Sequence, residues 1–385
     1  MRWAFVVVMA VHALIHSMGF VKAFALAKIP QLKQPISVPV GLLWLSAAVL
    51  ILGSLVALSV WPRWWWALAG VALVVSEVAI ATSWSDAKFG TLANLILLLG
   101  AIYGFLTQGP VSFQAQFERD VALGVAGPMV VPATVTEADL AMLPEPVQGY
   151  LRATGVVGRP RVRNYRAHFR GRMRSGPDAP WMPFEAEQQS FVQPSERLFL
   201  MHATMHGLPV EVFHRLVDGA ATMRVRLLGA LTLVDASGPV MDHSETVTLF
   251  NDMCILAPGS LLEASIHWQP IDARSARASF TNGKDTITAV LTFDAAGLLN
   301  DFVSEDRSRA SADGRTFTPQ RFSTPLRDYR SYRGQLLASY GETHFHPPQG
   351  EFAYGEFHIL DVQFNVSEQA VASPDQAPTG CNRLR

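Results

Sequence analysis

Four apolar runs crowd the first 107 residues: Trp3–Ala27, Val38–Trp61, Trp64–Ser83 and Phe89–Thr107. Each comes near the ~20 residues needed to cross a hydrocarbon core as a helix. Segments apolar on every side belong in a large core or in lipid rather than on a water-facing surface. The joints are short, Trp61-Pro62-Arg63 between the second and third runs and Trp84 to Lys88 between the third and fourth. Such joints force antiparallel neighbours, so residues 1–108 are expected to form an up-down four-helix transmembrane bundle. Arg2 ahead of the first run looks like a signal peptide. The run is too long for one, lacks a clear small-residue cleavage site and is followed at once by three more, so it is expected to be retained.

These runs explain an unusual composition. Of 385 residues, 49% are hydrophobic and only 16% charged, with mean hydropathy +0.20, against about 25% charged in ordinary soluble chains. The net charge of −1 supplies no polycationic field, which excludes nucleic acid as a bulk partner. Two cysteines, Cys254 and Cys381, make neither a disulfide framework nor a cysteine-rich zinc site. Basic residues near the span ends set the orientation. Lys22, Lys28, Lys33 and Lys88 outnumber Arg2, Arg63 and Arg119 on the other side. That bias puts the first and third loops in the cytoplasm and everything after Thr107 outside.

From Gly109 the pattern changes. Residues 109–135 are rich in Gly, Pro, Val and Gln and are expected to be a linker. Thr136, with Asp139 three residues on, begins a helical hairpin that Pro144 and Pro146 split in two and Gly155 stops. Beyond Gly158 the period becomes 2. Tyr165, Ala167, Phe169 and Met173 alternate with Arg166, His168, Arg170, Arg172 and Arg174, a strand with one apolar and one basic face. Pairing around the 175–180 turn sets Glu185 opposite Arg170 and Glu187 opposite His168, so the basic face is expected to be partly neutralised. Asn282-Gly283 predicts a two-residue hairpin turn. No helices suited to parallel crossovers intervene, so residues 136–366 are expected to be an α+β domain on a curved antiparallel sheet, open to the analogy of a lipoprotein-carrier half-barrel. A helix is expected at Met241–Leu256, with Asp242 and Glu245 as a capping box. The tail, 367–385, is expected to be disordered.

Polar residues inside the runs are the first site candidates: His12, His16 and Glu77, with Asp86, Lys88 and Asn94 nearer the inner surface. His12 and His16 share a helix face roughly 6 Å apart. His16 and Glu77 lie at similar depth, so contact between them is feasible. The pair is expected to fix helix register or else to serve as a proton relay, a ligand-binding dyad or a metal or haem site, in a membrane activity that is proton-coupled or redox. In the second half, Glu245, Asn251 and Asp252 leave the apolar face of their helix and Arg307 ends a strand. Glu245 and Asp252 are two turns apart, roughly 10 Å, a poor acid–base pair. No GxSxG, P-loop or GxGxxG context accompanies them, so neither catalysis, a metal nor a cofactor is expected.

Several strings together resemble a bacterial family of uncharacterised membrane proteins carrying a domain of unknown function. They are Ser83-Trp84-Ser85-Asp86-Ala87-Lys88-Phe89-Gly90-Thr91-Leu92-Ala93-Asn94, Leu143-Pro144-Glu145-Pro146-Val147, Tyr150-Leu151-Arg152, Ala257-Pro258, Ser304-Glu305-Asp306-Arg307, and Gly350-Glu351-Phe352 with Tyr354. The resemblance implies four transmembrane helices and a β-rich C-terminal domain in a bacterial cytoplasmic membrane, and imports no activity. The reading that follows is an extracytoplasmic domain that binds a lipid or other apolar ligand, in contact with membrane lipids. The alternatives are an envelope scaffold for protein partners, or membrane-embedded proton or redox chemistry at His16 and Glu77.

Overall fold

The computed structural model describes residues 2–126 and 132–367, and the chain divides into two compact units, Met1–Gln116 and Phe117–Arg385. The expected disordered tail, from 368 on, lies outside the described residues.

The first unit contains α1 (Arg2–Ala23), α2 (Val38–Val60), α3 (Trp65–Thr82), the single turn α4 (Trp84–Ala87) and α5 (Gly90–Gln108). Helices α1, α2, α3 and α5 are long and apolar enough to cross a membrane. They pack in chain order, and α5 closes back on α1. Unlike a water-soluble bundle, this one presents large apolar side chains outward, and alanines are frequent beside Met9, Trp44, Ile51, Trp65 and Leu97 inside. Ala13, Ala47, Ala69, Ala72 and Ala79 are interior, while Leu14, Val49, Val56 and Val74 point outward. Small interior residues let helix backbones approach closely. Gly19 and Gly41 mark the tightest approach, since a Cβ on Gly19 would overlap the Trp44 ring and one on Gly41 would overlap Ala23 Cβ.

The stretch expected as linker is in part helical: α6 spans Phe113–Val125. Phe113, Phe117 and Val121 are all buried and recur every four residues, the spacing of one helix face. Three anchors in a polar stretch are a sparse signal, which the Gly- and Pro-rich flanks obscure.

In the second unit, α7 (Glu137–Leu140) and α8 (Glu145–Ala153) form the hairpin broken at Pro144. Asp139 accepts a hydrogen bond from the Thr136 N–H at 2.7 Å. Gly155, at φ +73°, takes the left-handed conformation that ends the second helix.

The first six strands are β1 (Asn164–Met173), β2 (Met182–Phe191), β3 (Glu196–Met205), β4 (Leu208–Val217), β5 (Ala220–Leu227) and β6 (Leu231–Ser237). Helix α9 (Pro239–Leu256) follows. Then come β7 (Ile266–Asp272), β8 (Ser275–Asn282), β9 (Asp285–Phe293), β10 (Leu299–Ser304), β11 (Ser308–Ala310) and β12 (Phe317–Pro319). The last are β13 (Phe322–Ser323), β14 (Leu326–Tyr332), β15 (Gln335–Phe345) and β16 (Phe352–Phe364).

Fourteen strands make one antiparallel sheet, ordered β6-β5-β4-β3-β2-β1-β16-β15-β13-β10-β9-β8-β7, with β14 also paired to β15. Strands β11 and β12 form a separate ribbon. The sheet curls into a half-barrel, and α9 lies in its concavity against strands from both halves. Glu185 faces Arg170 and Glu187 faces His168 across β1 and β2, the pairing that the 175–180 turn dictates.

Two local expectations are corrected. Helix α9 begins at Pro239 after Gly238, whose φ is +102°, so Asp242 and Glu245 form no capping box. Asp242 instead accepts from the Ala221 N–H at 2.7 Å and pairs with Lys284 at 3.0 Å. At the β8–β9 turn Asn282 stays paired with Asp285, which makes Gly283-Lys284 the two loop residues, with positive φ at Gly283.

Candidate functional site

Strands β3 and β4 show why the concave face is both greasy and charged. On β3 the inward phase reads Arg197, Phe199, Met201 and Ala203; on β4 it reads Val210, Val212 and His214. Side chains two apart share a face, so one polar residue enters an otherwise apolar row at the same end of each strand. Gln188 of β2 pairs with Phe199, which pairs with His214, placing these groups in one row across the sheet. Helix α9 covers the row and adds Ser244, Glu245, Thr248, Asn251 and Asp252.

Between the sheet and α9 lies a cavity of about 560 Å³, within the roughly 300–1,000 Å³ range of small-molecule sites. Its walls include Phe169, Met201, Val212, Val225, Phe345 and Phe357. It runs from Arg197 to Met205 and His206, eight residues of strand, or roughly 26 Å at ~3.3 Å per residue.

At the Arg197 end, one guanidinium holds two carboxylates. Arg197 Nε lies 2.6 Å from Asp252 Oδ2, and Nη1 lies 3.2 Å from Glu245 Oε2. Gln188 donates to Asp252 at 2.9 Å and accepts from Arg197 at 3.3 Å. His214 Nδ1 stands 3.3 Å from Glu245 Oε1, an ion-pair distance off hydrogen-bond geometry. Burial alone would raise the Glu245 carboxyl; the His214 ring, then the Arg197 and Arg307 guanidiniums, outweigh burial and bring it down to about 2. Asp252 goes the other way, because burial outweighs Arg197 and Gln188 and raises it.

The structure thus joins Glu245 and Asp252 through Arg197, although they are two helical turns apart. Both carboxylates are committed to ion pairs, an arrangement that anchors α9 to the sheet. Arg307 donates to Thr248 Oγ1 and lies 4.6 Å over the Phe322 ring. Asn251 is buried, and its side-chain oxygen has no hydrogen-bond partner among the described residues. Arg197, Gln188 and His214 are absent from the residues expected above. Their signal was available, as a polar residue in the apolar phase of an alternating strand.

The other expected cluster lies among α1, α3 and α5. Ser76 Oγ donates to Asn94 Oδ1 at 2.8 Å, so it accepts from His16 Nε2 at 2.7 Å. His12 Nε2 reaches Asn94 Oδ1 at 3.0 Å. An amide oxygen only accepts, which fixes both rings as Nε2–H tautomers by inference from the bonding. Asn94 Nδ2 then donates to Glu77 Oε2 at 2.7 Å. Ser76 and Asn94 therefore stand between His16 and Glu77, which their similar depth makes feasible as direct partners. The side-chain hydrogen bonds between the two run through the Asn94 amide. Asp86 lies apart, accepting from the Lys33 and Gln34 N–H groups at 2.6 and 2.8 Å. Lys88 sits over the Phe89 ring at 5.5 Å and does not join the cluster.

Residues 133–357, more than half of the chain, match a family model described as a family of unknown function, DUF6544. The chain belongs to the DUF6544 family. A comparison with curated proteins returns no match. Three solved structures share features with this DUF6544 chain. A domain named for outer membrane lipoprotein sorting, from Vibrio parahaemolyticus, is 12% identical, with 54% of this chain and 88% of that one covered and a TM-score of 0.31. A LolA superfamily protein from Nitrosomonas europaea is 10% identical, covering 63% and 96%, at 0.32. A DUF1329 family protein from Desulfovibrio piger is 12% identical, covering 61% and 95%, at 0.33. What the DUF6544 cavity can hold is set by its own lining.

Proposed function

We propose that this DUF6544 protein is an integral protein of the bacterial cytoplasmic membrane whose extracytoplasmic half-barrel binds a lipid or another apolar ligand. The cavity under α9 carries this reading: it is deep, walled between its ends by apolar side chains from both halves of the sheet, and polar at the two ends. Such a space is a poor home for water, which needs two to four polar partners, and a good one for a hydrocarbon chain. The large apolar side chains that α1, α2, α3 and α5 turn outward support lipid as their solvent. Trp61 and Trp64, both exposed at one end of the bundle, suit a membrane interface, and the basic-residue bias supports the extracytoplasmic side.

The test is native mass spectrometry of the full chain purified in mild detergent. The expected result is a co-purifying apolar mass that Met205→Trp, which narrows the cavity, reduces at least about tenfold. A chain that carries none and takes up no added acyl probe overturns the reading. Alkaline phosphatase fused after Arg385 is expected to be active; a fluorescent cytoplasmic reporter at the same place would reverse the orientation.

A further inference from the structure

The cavity ends differently at its two extremes. At the floor the charges balance, with Arg197 and Arg307 against Glu245 and Asp252. At the mouth they do not. Arg174 lies 4.5 Å over the Trp181 ring and donates to the carbonyls of Ala353, at 2.8 Å, and Pro177, at 2.5 Å. Arg309 lies 5.1 Å over the Phe352 ring and donates to the Ser175 carbonyl at 2.7 Å. Both arginines line the cavity and grip the same turn and the same end of β16. Among the described residues, neither has a carboxylate within ion-pair distance.

A guanidinium has five N–H donors, and these two spend few of them, all on neutral carbonyls. Aromatic stacking holds both planes in place, so little side-chain freedom remains to be lost on binding an anion. We infer that the ligand is an amphiphile whose anionic head, carboxylate or phosphate, sits on Arg174 and Arg309 while its chain runs inward. The reverse orientation would bring the anion against Glu245 and Asp252. This inference rests on the apolar-ligand reading and specifies its head group.

The probe is a single acyl chain with a terminal diazirine, made with a carboxylate, a phosphomonoester or an uncharged hydroxyl head. The full chain in zwitterionic-lipid nanodiscs is photolabelled and the labelled peptides are mapped. At least one anionic probe is expected to half-saturate at about tenfold lower concentration than the alcohol, with label near Phe199 and His214. Arg174→Gln with Arg309→Gln is expected to bring that probe to the alcohol's level and leave the alcohol unchanged. Should the double variant fail to accumulate, Arg309→Gln alone is expected to cut the preference at least about threefold, and Arg309→Lys to retain most of it. A preference confined to one anionic head identifies its source as a fatty carboxylate or a phospholipid-type phosphate. Equal labelling of the cavity by all three heads, or a preference that survives the glutamine variants, overturns the head site and leaves the cavity standing. No labelling of the cavity by any probe overturns the apolar-ligand reading with it.

Discussion

The Tyr150 hydroxyl donates to the Cys254 carbonyl at 2.8 Å, deep in the core. In an unbroken helix that carbonyl would accept from the N–H four residues on. Residue 258 is proline, which has none. Tyr150 therefore supplies the donor that Pro258 lacks and ties α8 to the end of α9. Tyr150→Phe is expected to leave a buried carbonyl unsatisfied and cost about 1–3 kcal/mol, seen as a lower midpoint in thermal unfolding of the full chain. An unchanged midpoint would mean that water replaces the phenol.

Arg197 compensates two buried acids at once. Arg197→Met is expected to destabilise the half-barrel by about 3–5 kcal/mol, because Asp252 is then buried without its cation and Glu245 keeps only His214 and Arg307. Arg197→Lys should recover only part, since an ammonium cannot present the same fork to both carboxylates. Denaturant midpoints measured by tryptophan fluorescence separate the three proteins, and a wild-type midpoint for Arg197→Met would refute the compensation.

Glu211 is buried, and burial, only partly offset by Arg226, raises its carboxyl to about 7. The native state thus holds this proton more tightly than the unfolded chain. Its contribution is full below about pH 4.5 and is lost as pH rises through about 7. Glu245 has the opposite sign: its contribution is present above about pH 4.5 and lost as pH falls through about 2. Glu211→Gln is expected to remove much of the decline in stability between about pH 5 and 7, by on the order of 2–3 kcal/mol. Unfolding midpoints collected across that range for both proteins provide the check.

The cluster at Asn94 separates shape from charge. Glu77→Gln keeps an oxygen to accept from the Asn94 amide, so normal accumulation in the membrane fraction is expected. Asn94→Leu strips partners from His12, Ser76 and Glu77 together, and accumulation is expected to fall severalfold. Equal loss in both variants would show that the negative charge itself is needed.

The sequence makes some parts of this molecule plain and hides others for physical reasons. Apolar runs of membrane length announce themselves, and so does the β1–β2 register, because a turn and two facing charges fix it. Of the hairpins at His206-Gly207, Asp218-Gly219 and Arg333-Gly334, the first and last are harder. Each of the three has two positive φ values; Asp218-Gly219 is as strong a turn signal as Asn-Gly, whereas a glycine after His206 or Arg333 is a weak one. The closure of the sheet is harder still. Strand β1 pairs with β16 at a separation of nearly two hundred residues, and no local pattern records such a partner. Glu245 and Asp252 stood out as acids on a helix, whereas Arg197 became visible only once β3 had an inside and an outside.

Helix α9 connects β6 to β7, the strands at the two extreme edges of the sheet. It therefore works as a crossbar bolted at both ends, with Arg197 as a rivet in between. Swinging it aside would peel both margins of the half-barrel at once. The 174–182 loop, with Arg174 stacked on Trp181, and the His206 turn lie at the other end of the cavity from Arg197, and the helix is left to be a wall.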